Sequence, residues 1–255
     1  MGLRIAVCQA AAVRGDVGAN LCRASSIVSQ TRADMYVFPE MFLAGYGADC
    51  SGLRDDVEAA LNRLRSICLE TGSAILIGGP CHLPGGIRNS LYFLSPSAEE
   101  RYDKMHLANF GVYSEGGFAA GGEPVAVDFG GMRFGLSICY DLFFPELYRR
   151  YASLGADANV CISASASPSR KYLERALPAR SLENVAYTVF VNNAPNGGDV
   201  DFYGGSRLVG PLGDTLAEAG GGDEVVCVYV DGEVVSRARS ERRHLSDMRR
   251  DVFSL

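Results

Sequence analysis

The chain has almost no lysine, few histidines and no long apolar run. Its 255 residues carry a formal charge of -6, which argues against a nucleic-acid footprint. No stretch approaches the roughly 20 apolar residues of a membrane span. The opening Met1-Gly2-Leu3-Arg4-Ile5 runs straight into a strand pattern, without the long apolar region of a signal peptide. The three histidines, His82, His106 and His244, are far apart in sequence. The eight cysteines show no short paired spacing, which fits neither a zinc site nor a disulfide framework. These absences point to free thiols in a reducing cytoplasm, with no metal, no cofactor, no membrane and no nucleic-acid partner.

The scarcity of lysine is informative. Only Lys104 and Lys171 are lysines, and every other Lys/Arg position is arginine. Each lysine therefore raises the question of what a compact ammonium does that a planar guanidinium does not.

Hydrophobic patterning sets the framework. Leu3–Gln9, Met35–Phe38, Ala74–Gly78, Ser90–Leu94, Met132–Ile138, Asn159–Ser163 and Val185–Val191 read as strands. Asn20 is a candidate N-cap for a helix carrying Leu21, Ala24, Ile27 and Val28. Leu53, Val57, Leu61, Leu64 and Cys68 mark a longer amphipathic helix. A further helix spans about 171–183, with Pro178 an irregularity. Pro124–Phe129 and Met132–Ile138 read as a hairpin around Gly130-Gly131. Ser206–Val209, Pro211-Leu212-Gly213-Asp214 and Val225–Val230 read as a closing meander, followed by an arginine-rich tail from Ser236. Helices alternate with strands early and antiparallel pairs come late, which favours an α/β architecture of mixed sheets in a single domain, 1–255.

Three groups sit where apolar strands end. Glu40 follows Met35–Phe38, Lys104 follows a strand through Tyr102, and Cys139 closes Phe134–Ile138. Loops at strand ends are where a rigid sheet presents reactive groups. Cys139 precedes a helical pattern that opens at Pro145, and a nearby helix N-terminus favours a thiolate. Together a carboxylate, an ammonium and a thiol would make a hydrolase site. Glu40 could take the thiol proton, and Lys104 with the Tyr140 N–H could hold an oxyanion. Taken singly, each residue reads more readily as a surface or structural group.

These segments resemble the nitrilase superfamily of carbon–nitrogen hydrolases. The likeness rests on Tyr36-Val37-Phe38-Pro39-Glu40, Tyr102-Asp103-Lys104-Met105-His106-Leu107 and Ile138-Cys139-Tyr140-Asp141 with Phe144-Pro145-Glu146. It continues through Ala179-Arg180-Ser181-Leu182-Glu183-Asn184, Gly204-Gly205-Ser206 with Pro211-Leu212-Gly213, and Arg249-Arg250-Asp251-Val252-Phe253. The resemblance implies a four-layer α-β-β-α sandwich, a Glu40-Lys104-Cys139 triad and a second glutamate, Glu115. The stretch from Lys104 through Asn109-Phe110-Gly111-Val112-Tyr113 to Glu115 looks especially like the glutaminase domains of glutamine-dependent NAD synthetases.

The implied activity is hydrolysis of a small carboxamide through a thioester. Nitrilases of the family typically carry Cys-Trp-Glu where this chain has Cys139-Tyr140-Asp141. Many relatives carry Arg where this chain has Phe143, so the resemblance suggests a less acidic or more apolar acyl group. Phe42, Tyr46 and Phe110 are candidates for that pocket. The alternatives are a nitrilase, an N-carbamoyl amine hydrolase, or an ammonia-supplying glutaminase-like subunit acting in a complex. A homodimer or higher homo-oligomer is expected from the family.

Overall fold

Alternation of apolar side chains decides which way each strand faces. In β1 (Leu3–Gln9), Ile5 and Val7 enter one core and Ala6 and Cys8 enter another, all of them buried. A strand apolar on both faces must be covered on both sides. The computed structural model, which describes residues 2–249 and 251–252, resolves this demand with two six-stranded sheets stacked between helices. Arg250 and Phe253 of the tail motif lie outside the described residues.

The first sheet is built from β1, β2 (Met35–Val37), β3 (Ala74–Leu83), β4 (Gly86–Leu94), β5 (Glu99–Asp103) and β12 (Glu224–Val230). Its order is β12-β1-β2-β3-β4-β5. The second contains β6 (Ala126–Phe129), β7 (Met132–Ile138), β8 (Ala158–Ser163), β9 (Tyr187–Asn192), β10 (Arg207–Val209) and β11 (Thr215–Glu218). Its order is β11-β10-β9-β8-β7-β6. Helices α1 (Val17–Gln30) and α2 (Arg54–Thr71) cover the outer face of the first sheet through Val17, Ala24, Val57, Leu61 and Leu64. Helices α3 (Pro145–Ser153) and α4 (Arg170–Asn184) cover the second through Leu147, Tyr148, Tyr151, Leu173 and Leu177. This is the α-β-β-α sandwich that the resemblance implies.

The expected hairpin at Gly130-Gly131 forms, and Gly155 ends α3 in the left-handed conformation at φ 82°. Other expectations need correction. Asp16, not Asn20, caps α1, accepting the N–H of Ala19 at 2.8 Å. Asn20 is buried inside the first turn, where its amide ties Val13 and Leu43 together. The Ala74 and Ser90 strands run longer, as a hairpin turning at Pro84-Gly85. Val185 belongs to the end of α4 at φ 44°, and the next strand starts at Tyr187. Pro178 is accommodated within a continuous α4. The segment Val225–Val230 does not extend a meander. It leaves β11, crosses to the other sheet and pairs antiparallel with β1. The arginine-rich tail contains α5 (Gly232–Glu241), anchored by buried Val235 and by Arg239, which donates to the carbonyls of Val185 and Ala156.

The core strands of each sheet, β1-β2-β3 and β7-β8-β9, are parallel. The segments that follow β2, β7, β8 and β9 therefore emerge together, and the functional site is built there.

Close packing fixes one glycine absolutely. A Cβ on Gly135 of β7 would lie 2.3 Å from the Tyr151 ring. That ring cannot swing away, because its hydroxyl is held by the Leu136 carbonyl and the Val125 N–H. Gly135→Ala is expected to lower stability by about 1–3 kcal/mol, as overpacking does. Urea denaturation of the two proteins checks this.

Candidate active site

A lysine that is only 1% exposed needs anionic partners, because burial of an uncompensated ammonium is prohibitive. Lys104 follows β5, and its Nζ donates to Glu40 Oε1 and to Glu115 Oε1, each at 2.7 Å. Burial by itself would lower the Lys104 pKa. The surrounding carboxylates, Glu40 first and then Glu115, outweigh it and hold the pKa above its ordinary value. The ammonium is thus permanently charged.

Glu40 follows β2 and is fully buried. Its Oε1 takes Lys104 and the Asn89 amide at 2.8 Å, and its Oε2 accepts the Ala164 N–H at 2.7 Å. Its own carbonyl accepts from Asn193 Nδ2 at 3.0 Å. The turn is so tight that Met41 adopts φ 54°. A Cβ on Gly78 of β3 would stand 2.5 Å from both Pro39 O and Met41 N, so only glycine lets β3 carry this turn. Burial raises the Glu40 pKa and the Glu115 charge adds to that, against the opposing pull of Lys104.

Glu115 comes from the loop after β5. Its Oε2 accepts the Ala108 N–H at 2.7 Å, and its Oε1 accepts from Tyr46 OH at 3.2 Å as well as from Lys104. Asn109 Oδ1 accepts the Glu115 N–H at 2.9 Å, fixing the loop from within.

Cys139 heads a short 3-10 turn, Cys139–Phe143, at φ 51°. Helix α3 opens at Pro145, as the pattern predicts, but Cys139 lies ahead of it in the 3-10 turn and is buried rather than exposed at the sheet tip. Burial pushes the thiol up to about 12, and the Glu40 charge adds to it. Its Sγ lies 3.5 Å from Ser165 Oγ, which in turn contacts Ser163 Oγ at 2.6 Å. Asp141 ties this turn to the Lys104 segment: its carboxylate accepts from Tyr102 OH at 2.8 Å, the Ile138 N–H at 3.0 Å and the His106 N–H at 3.0 Å.

A cavity of about 520 Å³ adjoins the thiol segment. Its lining includes Phe110, Tyr113, Tyr140, Phe143, Ala166 and Tyr172, and no charged residue. Two of its lining residues are chain neighbours of the thiol contact: Tyr140 follows Cys139, and Ala166 follows Ser165. A larger cavity, about 710 Å³, contains Arg14, Arg23 and Asp199 and lies on the Tyr46 side. Of the aromatic residues expected at the pocket, Tyr140, Phe143 and Phe110 line the apolar cavity. Tyr46 instead lines the polar one while touching Glu115. Phe42 is not in any of these walls: it is fully buried against Phe38 in the outer core of the first sheet.

All four site residues inferred from the sequence thus occur at one place. Asn89, Tyr113, Ser165 and Asn193 were not anticipated. Asn192-Asn193 at the end of an apolar strand was the available signal for the last of these. Among the described residues no cluster of His, Cys, Asp and Glu is arranged to hold a metal ion.

A family model described as carbon–nitrogen hydrolase matches residues 4–240. An (R)-stereoselective amidase from a Pseudomonas species is 30% identical over 97% of this chain and 92% of its own. A CN-hydrolase superfamily protein from Xanthomonas campestris shares the fold at TM-score 0.87 and 23% identity, covering 97% of each chain. A variant of the amidase from Nesterenkonia sp. AN1 aligns at TM-score 0.82 and 28% identity, covering 96% of this chain and 97% of that one. That structure shows covalent addition of the acetamide moiety of fluoroacetamide at its active-site cysteine.

Removing the cation should leave two buried carboxylates facing each other. Lys104→Met is expected to cost about 3–5 kcal/mol near neutral pH. Glu40 already has a raised pKa, and without the ammonium it rises further. A raised carboxylate pKa favours folding at low pH and loses that contribution as pH rises through it. The stability gap to the wild type should therefore be wider at pH 8 than at pH 5, measured by chemical denaturation at both.

Proposed function

We propose that this chain, which belongs to the carbon–nitrogen hydrolase family, is an amidase that hydrolyses a small uncharged carboxamide through a cysteine thioester. The observation that carries the reading is the buried Glu40–Lys104–Glu115 cluster beside a neutral Cys139 thiol. A neutral thiol needs a base at the moment of attack, and a carboxylate with a raised pKa is better matched to that task than an ordinary one.

In the first half-reaction Glu40 takes the Cys139 proton as sulfur bonds to the amide carbon. The carbonyl electron pair moves onto oxygen, and Lys104 Nζ with the Tyr140 N–H receives the charge. The pair then returns, Glu40 delivers its proton to nitrogen, the C–N bond breaks and ammonia or an amine leaves. In the second half-reaction water attacks the thioester while Glu40 accepts its proton. Collapse of that intermediate breaks the C–S bond, the sulfur regains the proton from Glu40, and a carboxylic acid departs. Glu115 holds Lys104 in place throughout. The covalent route divides one hard step into two easier ones. The covalent adduct on the active-site cysteine of the Nesterenkonia amidase supports this assignment to Cys139.

The apolar cavity supports a substrate without a charged acyl group. Phe143 occupies its wall, half-open to solvent. A carboxylate placed there would lose water and gain no cation.

Ammonia release should be measured on short aliphatic amides, aromatic amides, glutamine, carbamoyl amines and matched nitriles. Release from uncharged amides is expected, and Cys139→Ala should abolish it while leaving the circular dichroism unchanged. Substantial turnover by Cys139→Ala would overturn the reading, and preference for glutamine would favour an ammonia-supplying role. Phe143→Arg should raise kcat/KM for a carboxylate-bearing amide relative to its neutral analogue by about tenfold, the effect of roughly 1.4 kcal/mol of added attraction.

A further inference from the structure

The two carboxylate oxygens gripped by Lys104 are also gripped by a second group that carries no charge. Asn89 lies on β4, and its carbonyl accepts the Lys104 N–H at 2.8 Å. The two residues therefore oppose each other just beyond the last registered pair of β4 and β5, Ser90 with Asp103. Asn89 Nδ2 donates to Glu40 Oε1 at 2.8 Å and more weakly to Glu115 Oε1 at 3.4 Å. The amide and the ammonium thus bridge the same two oxygens.

The other end of the amide argues against a purely structural role. Asn89 Oδ1 is buried with no hydrogen-bond partner. An orphaned buried carbonyl destabilises the fold. A leucine of similar shape would fill the space without that cost, so the amide is retained for what its Nδ2 does. We propose that Asn89 is a positioning residue: its amide fixes the orientation of the Glu40 carboxylate and keeps it ionised beside the Cys139 thiol. The inference rests on the reading of Glu40 as general base. The groups that face Glu40 are Lys104 from the end of β5, Glu115 and Tyr46 from their loops, Cys139 from the end of β7, and the neutral donors Asn89 and Ala164. Of the neutral donors, only Asn89 can be removed by side-chain substitution.

The test is the pH dependence of kcat/KM on the amide preferred by the wild type. Asn89→Leu removes the donor at nearly constant volume. It should lower kcat by about 10- to 100-fold, the usual scale for a misaligned or mistuned base, with KM changed less than about threefold. Its acid limb should move to higher pH, because an ionised Glu40 has lost a donor. Asn89→Asp supplies a donor only while protonated, so its activity relative to the wild type should recover as pH falls. An unmoved acid limb in Asn89→Leu, or a pH-independent ratio for Asn89→Asp, would show that Asn89 only packs.

Failure of the amidase reading would look different, with the wild type silent on every amide. The inference is then read from the rate of iodoacetamide labelling of Cys139 against pH, followed by peptide mass. Displacement of that profile in Asn89→Leu supports it, and superposition of the two profiles overturns it.

Discussion

The arrangement of this protein depends on one buried ammonium held between two carboxylates. Lys104 has no access to water, so its charge is matched inside the protein. That requirement dictates much of the local structure. The Glu40 turn is pressed against β3 so closely that Gly78 carries no side chain, and Met41 takes a left-handed conformation to complete it. The Glu115 loop folds back on the Ala108 N–H. A Cβ on Gly121 would stand 2.1 Å from the Asp103 carbonyl, and its N–H is donated to the Lys104 carbonyl at 2.8 Å, so the loop is pinned where the lysine leaves its strand. One cation sets the paths of three chain segments.

The same charge balance shapes the proposed chemistry. Burial above all pushes the Cys139 thiol pKa up, with the Glu40 and Glu115 charges adding to it and Lys104 opposing. In the proposed mechanism Cys139 is therefore activated only as its proton moves to Glu40, coupling activation to attack. An exposed thiolate would react with any passing electrophile or oxidant. Cys139 differs from such a group in being neutral at rest and 7% exposed.

Much of this was legible in the sequence because strand ends are conspicuous: an apolar run that stops at Glu40 or Cys139 marks the group that stops it. The scarcity of lysine drew attention to Lys104 for a physical reason the structure bears out, since a compact ammonium fits between two carboxylates. Glu115 was reached only through the family resemblance; its loop has no periodicity to read. Asn89 was invisible because Arg88, Asn89 and Ser90 look like the solvent-facing start of a strand. Asn89 is buried against Glu40, Lys104 and Glu115, which come from distant segments that no local pattern announces. The capping of α1 was misread because Asp16 and Asn20 are both good caps, and only tertiary contacts with Leu43 divert Asn20 inward. The destination of β12 is a long-range pairing, and α5 was hidden in a segment whose arginines, Arg237 and Arg239, drew the eye from its few apolar positions.

The crossing of β12 bears on how the protein is made. β1 leaves the ribosome well before its antiparallel partner, which is synthesised roughly 200 residues later, on the order of ten to forty seconds at typical elongation rates. Until then β1 presents an apolar, unpaired edge, the kind of surface that recruits other chains. Gln9, at its end, likewise waits for the Gly220 and Gly222 carbonyls and the Ser206 N–H. Through Ser206, Asn192 and Ser165 that late closure reaches Cys139. During synthesis, then, a nascent chain passes through its most aggregation-prone interval before its reactive centre is complete, and the strand that ends the one hazard also finishes the other task.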